Sequence, residues 1–338
     1  MTKSFTIALP SKGAISTPTQ DFLSDCGLKV RKPNPRQYTG TIPAIPSLDV
    51  LFQRVKDIVY KVADGTAQLG ITGYDVVYEN PDDNLVIIHD KLGFGHCKLV
   101  VAVPESWVDV QNMSDLTEVA IEFREQKGRN IRIATTYPRS TREFLHQHGI
   151  HHFTIVKAEG AIEAAPTIGY ADIIVDLTQT GTTLRENHLK MLHDGTIVES
   201  EACLIGNRSA LKDQPVLMHA VRIIAEYVDG SLNGNGYYRL TVDVEGANAE
   251  DIAKKIASNP VTSGLIGPTV SPIYGANENH ANNIWHTVTV TVREQHLLEA
   301  VDHVRAMGGQ HAIVTPVRYV FLDQSPTYTR LLQKIQSG

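Results

Sequence analysis

The chain has 338 residues, 42% of them hydrophobic and 20% charged, and a formal net charge of −6. That composition fits a soluble globular protein with room for two or three domains, and the acidic balance speaks against a nucleic-acid-binding surface. No apolar run approaches the roughly 20 residues that span a bilayer, and the opening MTKSFTIALPSKG does not read as a signal peptide.

In chain order, residues 5–9 read as a buried strand and 10–13 as the turn after it, followed by a helix over 19–26. Cys26, Cys97 and Cys203 are widely spaced, form no CxxC pair and fit a reducing cytoplasm, each as a small buried side chain. Leu48, Leu51, Phe52, Val55, Ile58, Val59 and Val62 fall at helical spacing and predict one helix over 48–64, stopped by Gly65. Strands are predicted at 69–73, 86–89 and 98–103. Ser114 is expected to cap the next helix, with Glu118 near its start. A strand at 131–135, a helix entered through Tyr137-Pro138 and a strand at 153–156 follow. Strands alternating with helices predict α/β layers with mostly parallel sheets, whose ligands sit at the loops after Leu9, Ile71, Thr135 and Val175. Residues 215–228 predict a helix, and 229–236, rich in Gly, Asn and Ser, a linker. Beyond it, strands at 238–244, 269–274, 285–292 and 312–316 and helices at 249–257 and 296–307 give βαββαβ, a ferredoxin-like module.

The clearest chemistry lies in Ile173-Ile174-Val175-Asp176-Leu177-Thr178-Gln179-Thr180-Gly181-Thr182-Thr183. A buried strand ends in a carboxylate, a loop of hydroxyl residues around one glycine, and a helix start near Leu184. Backbone N–H groups, threonine hydroxyls and the helix dipole converge there on an anion. The carboxylate is placed for a ribose hydroxyl or a bound cation, as a 5-phosphoribosyl group requires. The plain alternative is a strand–turn–helix connection capped by its hydroxyls. The four histidines His146, His148, His151 and His152 offer a metal site or, because Gly149 interrupts them, a solvated helix end.

The spacing E-x5-G-x-A-x2-I-x-D-L-x2-T-G-x-T-L is met throughout, by Glu163, Gly169, Ala171, Ile174, Asp176, Leu177, Thr180, Gly181, Thr183 and Leu184. It resembles the signature of the ATP phosphoribosyltransferase family, the first enzymes of histidine biosynthesis. Further matches cover nearly the whole chain: Lys12-Gly13, Arg54-x-x-Asp57-Ile58, Leu69 to Asp75, Ala134 to Pro138, and Gly264 to Pro272. Two positions depart from the family. Ala14 stands where an Arg is usual, so that one phosphate contact is either lost or supplied elsewhere, by Arg31, Lys32 or Arg36. Gln68 replaces an acid at a strand start, far from the ligand end.

The resemblance implies an α/β, two-lobed, periplasmic-binding-protein-like catalytic region followed by a ferredoxin-like (ACT-like) regulatory domain. Its expected boundaries are 1–97 with 198–232, 98–197, and 233–338. It implies transfer of the phosphoribosyl group of 5-phosphoribosyl 1-pyrophosphate to N1 of the adenine of ATP, with Mg²⁺ on the pyrophosphate. Glu163 and Asp176 to Thr183 would hold phosphoribosyl pyrophosphate; Lys12, Gly13, Arg54, Gly73, Asp75 and Tyr137 would hold ATP, unless Tyr137 is simply a buried core tyrosine. Histidine as allosteric inhibitor, a homo-oligomer (dimer and hexamer), a cytoplasmic location, and no nucleic-acid or membrane partner complete the expectation. The alternatives are a non-enzymatic two-lobed binding protein and an inactive regulatory paralogue.

Overall fold

A computed structural model describes residues 4–34, 36–158, 160–274 and 284–336. The chain begins with β1 (Phe5–Pro10), α1 (Ser16–Asp25), β2 (Thr39–Thr41), β3 (Leu48–Gln53), α2 (Val55–Ala63), β4 (Leu69–Gly73), α3 (Tyr74–Glu79) and β5 (Leu85–His89). A second series runs β6 (Cys97–Pro104), α4 (Met113–Gln126), β7 (Ile131–Thr135), α5 (Pro138–Gln147), β8 (Phe153–Lys157), α6 (Ala165–Ile168), β9 (Ile173–Thr178), α7 (Thr182–Glu186) and β10 (Leu189–Ser200). Then β11 (Ala202–Asn207), α8 (Arg208–Asp213) and α9 (Pro215–Gly234) follow.

Two sheets result, β2-β3-β1-β4-β11-β5 and β10-β6-β9-β7-β8, one per lobe, which is the two-lobed α/β arrangement expected. The sheets are mixed, however, where mostly parallel ones were expected. β1 lies parallel between β3 and β4, but β11 runs antiparallel to both β4 and β5. In the second lobe β7 parallels β8 and β9, while β6 opposes β9 and β10. The reason is connectivity. β6 and β11 each follow directly on a strand of the other lobe, with no crossover helix before them, and each runs against both of its neighbours.

Three further expectations are corrected. The helix expected over 48–64 is a strand followed by a helix. Leu48, Val50 and Phe52 are buried and alternate with more exposed neighbours, so the segment also fits a period of two. Pairing along β1, from Phe5↔Leu48 to Pro10↔Gln53, decides between the periods. α4 is capped by Asn112, not Ser114: Asn112 accepts from the Asp115 N–H at 3.0 Å while Asp115 accepts from the Asn112 N–H at 3.1 Å, a reciprocal capping box. The linker expected over 229–236 is largely helix, because α9 continues to Gly234. Its glycines serve close approach. A Cβ at Gly234 would lie 2.8 Å from the Arg318 carbonyl oxygen, and one at Gly230 would lie 2.9 Å from the Phe321 ring. The Val320 N–H donates to the Gly230 carbonyl at 2.9 Å.

The chain forms two compact units, Met1–Glu226 with Ser325–Gly338, and Tyr227–Gln324. In the second unit, β12 (Tyr237–Glu245), α10 (Ala249–Ala257), β13 (Thr269–Pro272), β14 (Trp285–Arg293), α11 (Leu297–Ala306) and β15 (Gln310–Pro316) build the expected βαββαβ fold, with strand order β13-β14-β12-β15 and antiparallel pairing throughout. Leu240, Val242, Val288 and Val290 pack beneath Ile256 and Val304 in its core. A final helix, α12 (Pro326–Gln336), was not anticipated. It groups with the first unit, although residues 233–338 were expected to form the last domain. Lys334 Nζ donates to the Ile87 carbonyl at 2.9 Å, and Arg208 donates to the Lys334 carbonyl at 2.9 Å. Among the described residues no helix is long and apolar enough to cross a membrane.

Candidate functional site

The C-terminal ends of β4, β7 and β9 face one another across the gap between the lobes of the first unit. They enclose a cleft of about 320 Å³, lined on one side by Gly73 and Asp75 and on the other by Tyr137, Leu177, Thr178 and Gln179. Six of the expected site residues are thus brought together. Ala14, Lys56 and Cys97 complete much of the wall.

Asp75 and Tyr137 form the floor, each only 4% exposed. The Tyr137 hydroxyl donates to Asp75 Oδ2 at 2.6 Å. Ser200 Oγ donates to Asp75 Oδ1 at 2.7 Å and accepts from the Asp75 N–H at 2.9 Å. Gly73 allows this turn, since a Cβ there would strike Asp75 Oδ1. Burial, reinforced by the Asp75 charge and hydrogen bond, raises the Tyr137 phenol far above its ordinary value, so it stays a neutral donor. The buried-tyrosine reading therefore describes its hydroxyl, while the ring still lines the cleft. Cys97 is pushed up to about 11 by burial and by Asp75, against an opposing hydrogen bond with Ser200, so the thiol is not a nucleophile at neutral pH.

Beyond the floor, β9 ends in the hydroxyl loop. Gly181 takes φ +75°, a conformation glycine adopts freely, and its N–H donates to Thr178 Oγ1 at 2.9 Å. Gln179, Thr180, Thr182 and Thr183 are exposed around it. Thr180 and Thr182 hydroxyls lie 2.9 Å apart, and the first N–H groups of α7 have no partner within that helix, as at any helix start. Asp176 is raised, first by burial and then by neighbouring Glu163; the Leu177 N–H, at 2.8 Å, and the Lys56 charge work the other way. Two nearby carboxylates thus leave the mouth short of positive charge.

The remaining expected ATP residues do not line this cavity. Lys12 and Gly13 occupy an exposed turn, Gly13 at φ +90°. Arg54 is exposed at the N-cap of α2. Of the substitutes for the family's Arg, Lys32 lies with its amine 3.4 Å from the Phe52 ring centre. Gln68 holds the start of β4: its side chain accepts from the Thr6 N–H and donates to the Gly65 carbonyl, both at 2.8 Å. His148 Nδ1 lies 2.9 Å from the Phe144 carbonyl, and among the described residues no three His, Cys, Asp or Glu gather around a metal position.

Sequence reasoning missed Lys56, Ser200 and Cys97. Lys56 stands 5.7 Å from the centre of the Tyr137 ring, and its place two residues after Arg54 was the available signal. Ser200 had none, because its role depends on β10 returning beside α3. A second cavity of about 720 Å³ adjoins the cleft through Cys97 and Gln179, with Arg330 and Lys334 of α12 in its wall.

Profiles of two protein families match the chain. One, described as ATP phosphoribosyltransferase, matches residues 54–228, and one described as HisG, C-terminal domain, matches residues 235–319. The chain is 38% identical over 331 residues to ATP phosphoribosyltransferase 2, chloroplastic, of Arabidopsis thaliana, covering 97% of this chain and 80% of that one. It is 34% identical to an ATP phosphoribosyltransferase of Bradyrhizobium sp. over 96% of both chains. One of Brucella anthropi is 46% identical over 224 residues, 65% of this chain and 97% of that one. Among solved structures, the ATP phosphoribosyl transferase (HisG:HisZ) complex from Thermotoga maritima aligns with a TM-score of 0.50 at 23% identity, over 66% of this chain and 98% of that one, which speaks to the fold alone.

Proposed function

Because the chain belongs to the ATP phosphoribosyltransferase family, we propose a division of labour among its own residues for that family's reaction. The enzyme is a phosphoribosyltransferase, a glycosyltransferase, and catalyses the first step of L-histidine biosynthesis. ATP and 5-phosphoribosyl 1-pyrophosphate give 1-(5-phosphoribosyl)-ATP and pyrophosphate. The binding-protein and paralogue readings are not favoured.

The hydroxyl loop from Thr178 to Thr183 receives the 5-phosphate through its N–H groups and hydroxyls, and Asp176 holds the ribose hydroxyls with Glu163 beside it. The observation that carries this placement is the cleft itself: Gly73, Asp75, Tyr137, Leu177, Thr178 and Gln179, drawn from three strand ends, line one cavity. Adenine lies against the Tyr137 ring on the floor. Lys56 answers substrate phosphate, while Lys12, Gly13 and Arg54 act from outside the cavity wall on the triphosphate. Attack at an anomeric carbon builds cationic character there, so positioning and electrostatics suffice without a protein nucleophile, consistent with the neutral Cys97.

The donor set fits Mg²⁺. Asp176 and Glu163 offer hard oxygen ligands whose mutual repulsion a cation relieves. Mg²⁺ commonly takes one or two carboxylates together with substrate phosphates rather than a closed protein cage. Bound there, it would spread the charge of the departing pyrophosphate.

The second unit is the site of histidine inhibition in this reading. Oligomerisation to dimer and hexamer is supported by the open edge at β15, where Ile313 is 60% exposed. Residues 1–97 with 198–226, and 98–197, act as the catalytic lobes. Three cysteines, none of them in a disulfide, support a cytoplasmic location. The test is formation of phosphoribosyl-ATP by the pure chain with both substrates, with and without Mg²⁺, and with histidine titrated in while sedimentation follows the assembly. No product under any condition rejects the catalytic assignment. Activity indifferent to histidine rejects the regulatory one.

A further inference from the structure

Helix α5 lacks a cap of its own. Its N-cap residue, Tyr137, is not one of the short polar residues that cap a helix and makes no side-chain capping bond; its hydroxyl donates to Asp75. The first turn of a helix nonetheless presents N–H groups that need acceptors. Here they are met from the other lobe. Glu79, the last residue of α3, accepts from the Arg139 N–H at 2.8 Å through Oε1. Its Oε2 accepts from the Ser140 N–H at 2.9 Å and from Ser140 Oγ at 2.6 Å. Ser140 is 1% exposed and Glu79 is half-buried, so the bonds between them are partly buried. Arg139 returns the contact by donating to the Tyr78 carbonyl.

A carboxylate at a helix N-terminus is an ordinary stabiliser when it belongs to the same segment. Delivered across a cleft, it also constrains rotation between the lobes. α3 runs from Tyr74 to Glu79 and α5 begins at Pro138, so Glu79 sits about one helical turn along α3 from the Asp75–Tyr137 bond and holds the same two elements together. Neither contact is covalent, and both break if the lobes part.

We propose that Glu79 is a positioning residue for the transfer reaction: by capping α5 from the opposite lobe it sets the closure at which substrates meet across the cleft. This rests on the substrates occupying the cleft floored by Asp75 and Tyr137. Loss of the cap lowers the fraction of molecules closed and competent. Apparent affinity then falls by that fraction, whereas turnover of the filled, closed enzyme does not.

The experiment compares Glu79→Ala, Glu79→Gln and Ser140→Ala in the full-length enzyme by initial rates over both substrates, by amide exchange at the start of α5, and by thermal unfolding. Glu79→Ala should lower kcat/KM about tenfold or more, with kcat within about threefold of wild type. The amides of Arg139 and Ser140 should exchange faster and regain protection when both substrates are added. Glu79→Gln keeps one carbonyl acceptor and Ser140→Ala keeps both N–H bonds, so each should fall between wild type and Glu79→Ala. They carry the test if Glu79→Ala does not fold. Unchanged KM for both substrates in folded Glu79→Gln and Ser140→Ala overturns the proposal, as does a fall in kcat alone. Asp176→Asn run alongside separates the readings. If it too is unimpaired, the substrates are elsewhere and the placement in the cleft fails; if it is impaired while the Glu79 variants are not, only the positioning role fails.

Discussion

Tyr137→Phe isolates one hydroxyl. Nothing else in the ring's surroundings changes, so the variant removes only the 2.6 Å bond to Asp75. Asp75 keeps Ser200 Oγ at 2.7 Å, but its second oxygen loses its donor inside a residue 4% exposed. A hydrogen bond to a charged group contributes about 1.5–3 kcal/mol, and a buried acceptor left unmet makes the upper half of that range apply. For a unit of this size 1 kcal/mol moves the midpoint by about 2–4 °C, so the first unit's transition should fall by about 4–12 °C. Calorimetry and urea unfolding of the full chain measure it. In the same variant, KM for ATP should rise no further than in Glu79→Ala, because the ring that faces the cleft is retained and only one contact between the lobes is lost. Asp75→Asn is the companion: its amide can still accept from Tyr137, and the loss should be smaller. A midpoint unchanged in Tyr137→Phe, with KM for ATP raised further than in Glu79→Ala, would show that the hydroxyl serves the nucleotide and would refute the reasoning.

Asp176→Asn should raise stability and lower turnover together. Its carboxyl is raised by burial and by Glu163, so ionisation costs stability that grows as pH climbs from the unfolded value of about 3.9 through the higher folded one; the variant's advantage should vanish in acid and open toward neutrality. A variant less stable than wild type at neutral pH contradicts this. Asp172 behaves oppositely. Burial acts to raise it, but the Arg129 fork at 2.7 and 2.8 Å and the Arg132 contacts outweigh that and hold it below the usual range. Its contribution is complete above the unfolded value of about 3.9 and disappears as pH falls through the lower folded one, so the gap between wild type and Asp172→Asn in urea should be flat near neutrality and close only in acid. Gly181→Val must place a β-branched residue at φ +75°, costing about 1–2 kcal/mol in the loop, and should raise KM for phosphoribosyl pyrophosphate well above that for ATP. Equal KM values for wild type and variant would remove the 5-phosphate from this loop.

The sequence made the strand ends legible because each carried two signals at once. Residues 131–138 and 173–183 combine an apolar run with Gly, Pro or Thr punctuation, and the structure places strands and loops accordingly. The ferredoxin-like unit was equally legible from clean alternation, as in Trp285–Arg293 with every second side chain buried. Where one run satisfied two periods, as in 48–53, only pairing with β1 could choose. Gly230 and Gly234 read as flexibility from composition, but their meaning lies in Phe321 and Arg318, some ninety residues on. Ser200 and Glu79 were illegible for the same reason: each acts through a partner distant in sequence, and neither type advertises that locally. α12 did carry a local signal, since Ser325 precedes Pro326 and its Oγ accepts from the Tyr328 N–H at 3.0 Å, a capping pattern.

The return of α12 to β5 also fixes how the gene can be shortened. A stop codon after Glu226 would remove the second unit, but it would equally strip Lys334 from the Ile87 carbonyl and leave Arg208 without the helix end it holds. Such a fragment loses a wall of the first unit along with the second unit, so any defect it shows is ambiguous between the two. Only an internal deletion that rejoins the chain ahead of Ser325 keeps that wall. Selection faces the same constraint: the inserted unit is tied at both ends, and a frameshift anywhere within it reaches the first unit as well.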